Sequence, residues 1–165
     1  FSLSRPYAVT SLGFFDNLDD GLLSAHTVGI FDASSQALLV SGILPSGSAG
    51  TLQDGFRWQS IPEVLLMPGN YVMAATSSGD PASFDPFLYE GTNPVTADGF
   101  NLDGTSLSAS GSGTVLSFPG YDEGLSYGFF GPNMAGYTPA PGPLPLLGAA
   151  SALAWSRRLR SRLRR

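Results

Sequence analysis

The sequence predicts an all-β protein, an antiparallel β-sandwich with jelly-roll-like connectivity, followed by a short apolar helix and an arginine-rich tail. Three observations lead to this prediction. Between positions 7 and 76 apolar residues alternate with polar ones or occur in short runs between turn signals, which is typical of strands and not of helices. Glycine and proline recur throughout the chain, as they do in proteins with many turns. From position 138 the composition changes, which divides the chain into a body, 1–137, and a C-terminal segment, 138–165.

Six strands are predicted in the first half of the body. Their predicted bounds are 7–16, 26–32, 36–44, 55–61, 63–66 and 70–76. The strands recur about every ten residues, within the ~8–12 expected of a sandwich. The short polar stretch ASSQ predicts a hairpin between the second and third strands, and Pro68 with Gly69 predicts a type II turn before the sixth.

The second half of the body has a weaker strand pattern. Residues 77–104 are interrupted by prolines and glycines, which indicates a long surface excursion. A further strand is predicted at 114–118, and a last strand at 125–131.

The body is strongly acidic. The chain has no lysine, and six of its eight basic residues are arginines in the last nine positions, so the preceding residues carry two arginines against 13 acidic residues, a formal net charge of −11. Such a body repels nucleic acid and anionic lipid, and no nucleic-acid partner is expected. The absence of cysteine excludes disulfides and thiolate catalysis.

The C-terminal segment has three successive blocks: prolines, an apolar run at Leu144–Trp155, and arginines. A helix over that run, at ~1.5 Å per residue, is roughly 18 Å long, which is shorter than a ~30 Å hydrocarbon core. Extending the helix to Leu159, with the arginine side chains reaching the headgroups, reduces this difference in length. Trp155 suits the membrane interface, and the arginines predict a cytoplasmic C-terminus. A basic amphipathic end of a soluble chain is the alternative. The basic cluster comprises Arg157, Arg158, Arg160, Arg162, Arg164 and Arg165.

The stretch PAPGPLPLLGAASALAWSRRLRSRLRR resembles the tripartite PEP-CTERM sorting signal of Gram-negative bacteria, in particular its cyanobacterial variety, in which Pro-Gly-Pro-Leu-Pro replaces Pro-Glu-Pro. The resemblance implies recognition in the inner membrane by an exosortase, a membrane cysteine protease or transpeptidase, which cuts near the proline motif and releases the body for export, often with exopolysaccharide. The residues that match the motif are Pro139, Pro141, Gly142, Pro143, Leu144 and Pro145.

This resemblance implies an exported, non-enzymatic cell-surface or extracellular-matrix protein. The C-terminal helix would anchor it transiently in the inner membrane before its release to the cell surface or medium. Residues 9–75 of the body also resemble small extracellular β-sandwich modules that precede such signals in bacterial proteins. That second resemblance implies a fold but no site.

Clustered aspartates suggest a calcium site. Asp16, Asp19 and Asp20 precede Gly21, and Asp32 ends the adjacent predicted strand, so four carboxylates are predicted to converge at one end of the sandwich. Oxygen ligands in that number suit Ca²⁺. The spacing differs from the regular calcium loop, because a leucine stands at a ligand position. Solvated turn aspartates are the competing interpretation.

Two further residue types bear on function. His26 is the only histidine, and no G-x-S-x-G motif has a strand-turn-helix setting, so no catalytic constellation is predicted and His26 is interpreted as a turn or strand-entry residue. Trp58 lies in a predicted strand, where it either packs in the core or stacks on sugar rings. The second possibility gives the alternative function, a Ca²⁺-dependent carbohydrate-binding module associated with exopolysaccharide.

Overall fold

The computed structural model describes residues 1–78, 80–87, 97–102, 107–108, 115–122 and 130–140, with the backbone alone at 107–108. Within these residues the protein is all-β, as the sequence predicts, and its strand pairings are antiparallel. The described residues contain two short 3-10 turns, Asn17–Asp19 and Pro81–Ser83, and no α-helix. The helix predicted in the C-terminal segment lies outside the described residues.

The described strands are, in chain order, β1 Ser2–Leu3, β2 Tyr7–Phe15, β3 His26–Asp32, β4 Leu38–Leu44, β5 Thr51–Gln53, β6 Phe56–Leu66, β7 Gly69–Ala75, β8 Phe100–Asn101, β9 Leu107–Ser108, β10 Tyr121–Asp122 and β11 Pro132–Tyr137. They form a five-stranded sheet in the order β4-β3-β7-β1-β8 and a four-stranded sheet in the order β11-β2-β6-β5. The short strands β9 and β10 pair with each other.

One hydrophobic core lies between the two larger sheets. Because side chains alternate along a strand, each sheet turns one row of apolar residues toward the other. The four-stranded sheet contributes Val9, Leu12 and Phe14, and the five-stranded sheet contributes Val28 and Ile30. All five are buried, so the sheets pack face to face as in a sandwich.

The outer face of the five-stranded sheet is partly covered by a segment that is distant in sequence. A Cβ at Gly29 in β3 would lie 2.5 Å from Cδ2 of Leu116. The ring of Phe118 packs edge-on against Phe31, with 5.6 Å between centroids. Phe31 is therefore buried although it faces away from the core.

The four best-patterned strand predictions are confirmed at β2, β3, β4 and β7. The strands predicted at 55–61 and 63–66 are one strand, β6, which continues through Pro62. Pro62 is tolerated because it lies in a register shift, where residues 61–63 oppose only Thr10 of β2 and no ladder bond is needed.

Two other sequence predictions need correction, and a third lies mostly outside the described residues. Of the strand predicted at 114–118, the described residues 115–118 are not in a strand, and Leu116 and Phe118 instead pack over β3. Of the strand predicted at 125–131, only residues 130 and 131 are described, and β11 begins directly after them at Pro132. Gly69 begins β7 and is not among the described residues with positive φ, so the predicted type II turn does not form.

Candidate functional site

The four aspartates predicted to bind calcium do not converge. Asp16 follows β2 and Asp32 ends β3. The Phe14 ring stacks on that of His26, the first residue of β3, at a centroid distance of 3.8 Å. The end of β2 therefore lies beside the start of β3, and Asp32 lies six residues away at the opposite end of the sandwich. Consecutive strands that run antiparallel end on opposite sides, which is the physical reason for this correction.

Asp16 is occupied by a buried ion pair. Arg57 Nε donates to Asp16 Oδ2 at 2.7 Å, and the Gly21 amide lies 3.1 Å from each Asp16 oxygen. The guanidinium also donates to three backbone carbonyls, those of Ser48, Gly50 and Asp19. Both partners are almost fully buried. The pair joins β6 to two loops at this end of the sandwich, and it leaves Asp16 unavailable as a ligand.

The remaining predicted ligands form no metal site. Asp19 and Asp20 are exposed in the loop after β2. Asp32 Oδ1 accepts hydrogen bonds from the amide and hydroxyl groups of Ser34 and Ser35. These bonds hold the pKa of Asp32 at about 2, below the ordinary aspartate value, because they favour the ionised carboxylate. No group of three or more histidine or acidic side chains within the described part of the chain is placed to hold a metal ion.

A second buried polar pair, which the sequence did not predict, joins His26 and Asp85. His26 Nε2 lies 2.8 Å from Asp85 Oδ2, and its Nδ1 lies 2.7 Å from the carbonyl oxygen of Thr76. Asp85 also accepts from the amides of Leu23 and Ser24. Both ring nitrogens of His26 therefore have a protein partner, the Thr76 carbonyl on one side and the Asp85 carboxyl group on the other.

That arrangement is structural rather than catalytic. His26 lies at the entry of β3, as the sequence predicted, and it is 1% exposed. A general base needs one ring nitrogen that can take a proton from a nucleophile. Both nitrogens of His26 already have protein partners, so the imidazole serves to tie residues 23–24 and 85 to β3.

The outer face of the four-stranded sheet carries three aromatic rings, which we call the aromatic row: Phe15, Phe56 and Trp58. Phe15 and Phe56 pair across strands with 5.7 Å between centroids, and Phe56 and Trp58 are 5.9 Å apart. All three have intermediate exposure and none belongs to the core. The interpretation of Trp58 as a core residue is therefore corrected, because β6 turns Arg57 inward and Trp58 outward.

Trp58 is held in a fixed position on this face. Its indole N–H donates to the carbonyl oxygen of Gln53 at 3.2 Å. Three atoms of its six-membered ring lie 2.8–3.0 Å from where a Cβ of Gly13 would stand. The absence of a side chain at Gly13 thus lets the indole lie against β2.

Polar side chains lie beside the aromatic row. Thr51 on β5 and Asn133 on β11 occupy the same cross-strand row as Trp58 and Gly13. Gln53 pairs with Phe56 and is exposed. An apolar surface with a few hydrogen-bonding groups at its edge is the usual composition of a ligand site.

The predicted sorting residues are only partly described. Pro139 follows β11, whereas positions 141–145 and the basic cluster lie outside the described residues. Within the residues that are described, no helix has the length and apolar character needed to span a bilayer.

Comparisons with protein-family models, curated proteins and solved structures find no match for this chain.

Proposed function

We propose that this chain is an exported, non-enzymatic cell-surface or extracellular-matrix protein, in which a jelly-roll-like sandwich is delivered by a PEP-CTERM-like C-terminal signal. The observation that supports the proposal most is the position of β11. This strand pairs with β2 and ends at Tyr137, two residues before Pro139. All the described strands thus precede the proline motif, and cleavage between Pro139 and Pro143 would leave them intact.

The charge distribution supports the same proposal. A body with a formal net charge of −11 does not itself bind an anionic membrane, whereas the basic cluster, Arg157–Arg165, suits the cytoplasmic surface. In the proposed sequence of events, a short apolar helix and these arginines hold the precursor in the inner membrane. An exosortase-type membrane protease or transpeptidase then cuts near the proline motif, and the body reaches the cell surface or the medium.

Intact-mass measurement on protein isolated from the membrane and extracellular fractions of the host tests this proposal. We expect extracellular chains to end between Pro139 and Pro143, and membrane-bound precursors to retain Arg165. In a matched variant with the six clustered arginines changed to glutamine, cleavage between Pro139 and Pro143 should be lost or reduced, because the arginines that orient the C-terminal helix in the membrane are gone. Extracellular chains that still end at Arg165 would contradict the proposal.

A second candidate function is that the body binds the carbohydrate chains of an exopolysaccharide. The aromatic row on the outer face of the four-stranded sheet favours it. Calcium dependence is no longer part of this candidate, because Asp16 is paired with Arg57 and Asp32 lies at the other end of the sandwich.

A further inference from the structure

We infer that the aromatic row is a binding site for a neutral oligosaccharide, with the Trp58 indole as the ring on which a sugar stacks. The inference rests on the proposed carbohydrate-binding function and specifies its site and ligand class. It follows from three properties of the surface: a fixed indole, described surroundings that contain no cation, and a row longer than one ring.

The first property is that the indole is held in place before any ligand binds. Its N–H is bonded to the backbone of β5, and Gly13 leaves space for its six-membered ring against β2. A side chain that is already fixed loses little conformational entropy on binding, so more of the stacking energy appears as affinity. An aromatic ring with an apolar face beside hydrogen-bond partners suits a sugar ring, which presents C–H groups on its faces and hydroxyls at its edge.

The second property is that no cation lies around the indole among the described residues. The charged side chains of the four strands β2, β5, β6 and β11 are Arg57 and Glu63. The turn between β5 and β6 adds the exposed carboxylate of Asp54, which accepts a hydrogen bond from Gln53 Nε2. Arg57 points inward and is neutralised by Asp16. Glu63 accepts a hydrogen bond from Tyr137 at the opposite end of the sheet. The face around Trp58 therefore offers no cation to an acidic polymer, and the net charge of the body repels one.

The third property is length. Two ring-to-ring steps of 5.7 and 5.9 Å separate Phe15, Phe56 and Trp58, and the three planes are inclined to one another. One sugar stacks on Trp58 and its neighbours in the chain contact the two phenylalanines. Thr51 and Asn133, on either side in the same cross-strand row, supply a hydroxyl and an amide to sugar hydroxyls. The matching ligand is an uncharged oligosaccharide rather than a monosaccharide.

Isothermal titration of the 165-residue chain with cellohexaose, xylohexaose and mannohexaose tests the inference. Hexagalacturonate is the anionic probe, and it is titrated into a variant with the six clustered arginines changed to glutamine, because that cluster would itself attract an anion. We expect saturable binding of at least one neutral hexasaccharide and none of the anionic one. Trp58→Ala should weaken binding about tenfold or more, since one stacking contact contributes on that order. Trp58→Tyr, which keeps a ring, should retain most of the affinity.

Two further variants separate the site from a general loss of structure. Gly13→Ala keeps Trp58 but displaces its ring, so it should weaken binding while the thermal melt stays cooperative. Tyr137→Ala removes an exposed aromatic ring at the opposite end of the same sheet and should leave binding unchanged.

Binding that persists in a folded Trp58→Ala variant, preference for hexagalacturonate, or no binding of any neutral hexasaccharide would each overturn the inference. Processing of the C-terminal segment is measured by mass in a separate experiment. A protein that is cut and exported but binds no sugar would therefore retain the proposed surface role and lose only this site.

Discussion

On the outer face of each of the two larger sheets, a strand glycine makes room for a side chain from another segment, but the two contacts have different consequences. In the five-stranded sheet, Gly29 receives the side chain of Leu116, which comes from a segment almost 90 positions later in the chain. In the four-stranded sheet, Gly13 receives the indole of Trp58 from the neighbouring strand. The first contact fastens a cover onto the sheet, as the burial of Phe31 beside Phe118 indicates. The second holds an aromatic ring in place on the surface. A strand glycine can therefore either let another segment pack over a sheet or hold an exposed ring in one orientation.

The largest expected effect concerns the inner face directly beneath the aromatic row. Arg57→Met should lower the free energy of unfolding by about 3–5 kcal/mol, because it leaves Asp16 buried without its partner. Chemical denaturation measures the loss. Arg5→Met is the matched control, since the Arg5–Asp98 pair is exposed and should contribute about 0–1 kcal/mol. Equal losses in the two variants would show that the Arg57 pair does not hold the loops at this end together.

The next effect compares the two glycines directly. Gly29→Ala should destabilise the fold by about 1–3 kcal/mol, because its Cβ meets both Leu116 and the backbone oxygen of Val40, 2.9 Å away. Gly13→Ala should destabilise the fold by less, about 0.5–1 kcal/mol, because the closest contacts of its Cβ are all with the Trp58 indole on the outer face rather than with the backbone. Denaturation of both variants measures the difference. A larger loss at Gly13 would mean that Trp58 packs as a structural residue.

A smaller effect is expected from pH at the hairpin of the five-stranded sheet. The folded pKa of Asp32 is about 2, below the ~3.9 of an unfolded aspartate, so its stabilising contribution is present above about pH 4 and lost as pH falls through about 2. The difference in melting temperature between the protein and Asp32→Ala should therefore be largest near neutral pH and vanish below pH 2. If the difference in melting temperature is the same at every pH, the hydrogen bonds to the ionised Asp32 carboxylate are not what stabilises the hairpin.

The smallest effect is expected from calcium, since the predicted ligands are divided between the two ends of the sandwich. Melting curves in millimolar Ca²⁺ and in EGTA should coincide. A bound ion at ~100 times its dissociation constant would add roughly 2.7 kcal/mol, which is easily detected. An increase in melting temperature that Asp19→Asn and Asp20→Asn abolish would instead place a calcium site in the loop after β2.

The alternation of apolar and polar residues along the sequence predicted the strands β2, β3, β4 and β7. It did not predict β11, because its proline and glycine weaken the pattern and its place depends on pairing with a strand over 100 positions earlier. Gly136 is needed there because a Cβ would collide with the backbone carbonyl of Ala8. Such a requirement is visible only once the partner strand is known.

The buried ion pairs also depend on contacts that are remote in sequence. Arg57 and Asp16 are 41 positions apart, and His26 and Asp85 are 59 apart. Alternation along β6 puts Arg57 on the face opposite Phe56 and Trp58, but it does not say which of the two faces is the core. Arginine is usually exposed, so residue type favours the opposite assignment to the one observed, in which Arg57 is buried against Asp16 and Trp58 lies outside.

The most direct test of the central claim, that Trp58 is presented to solvent for a ligand, is acrylamide quenching of its fluorescence. In the 165-residue chain, Trp155→Phe leaves Trp58 as the only tryptophan. We predict that acrylamide quenches this emission readily, and that the neutral hexasaccharide with the strongest calorimetric binding protects it while hexagalacturonate does not. Emission that acrylamide cannot reach, or quenching that a saturating neutral hexasaccharide leaves unchanged, would contradict the account.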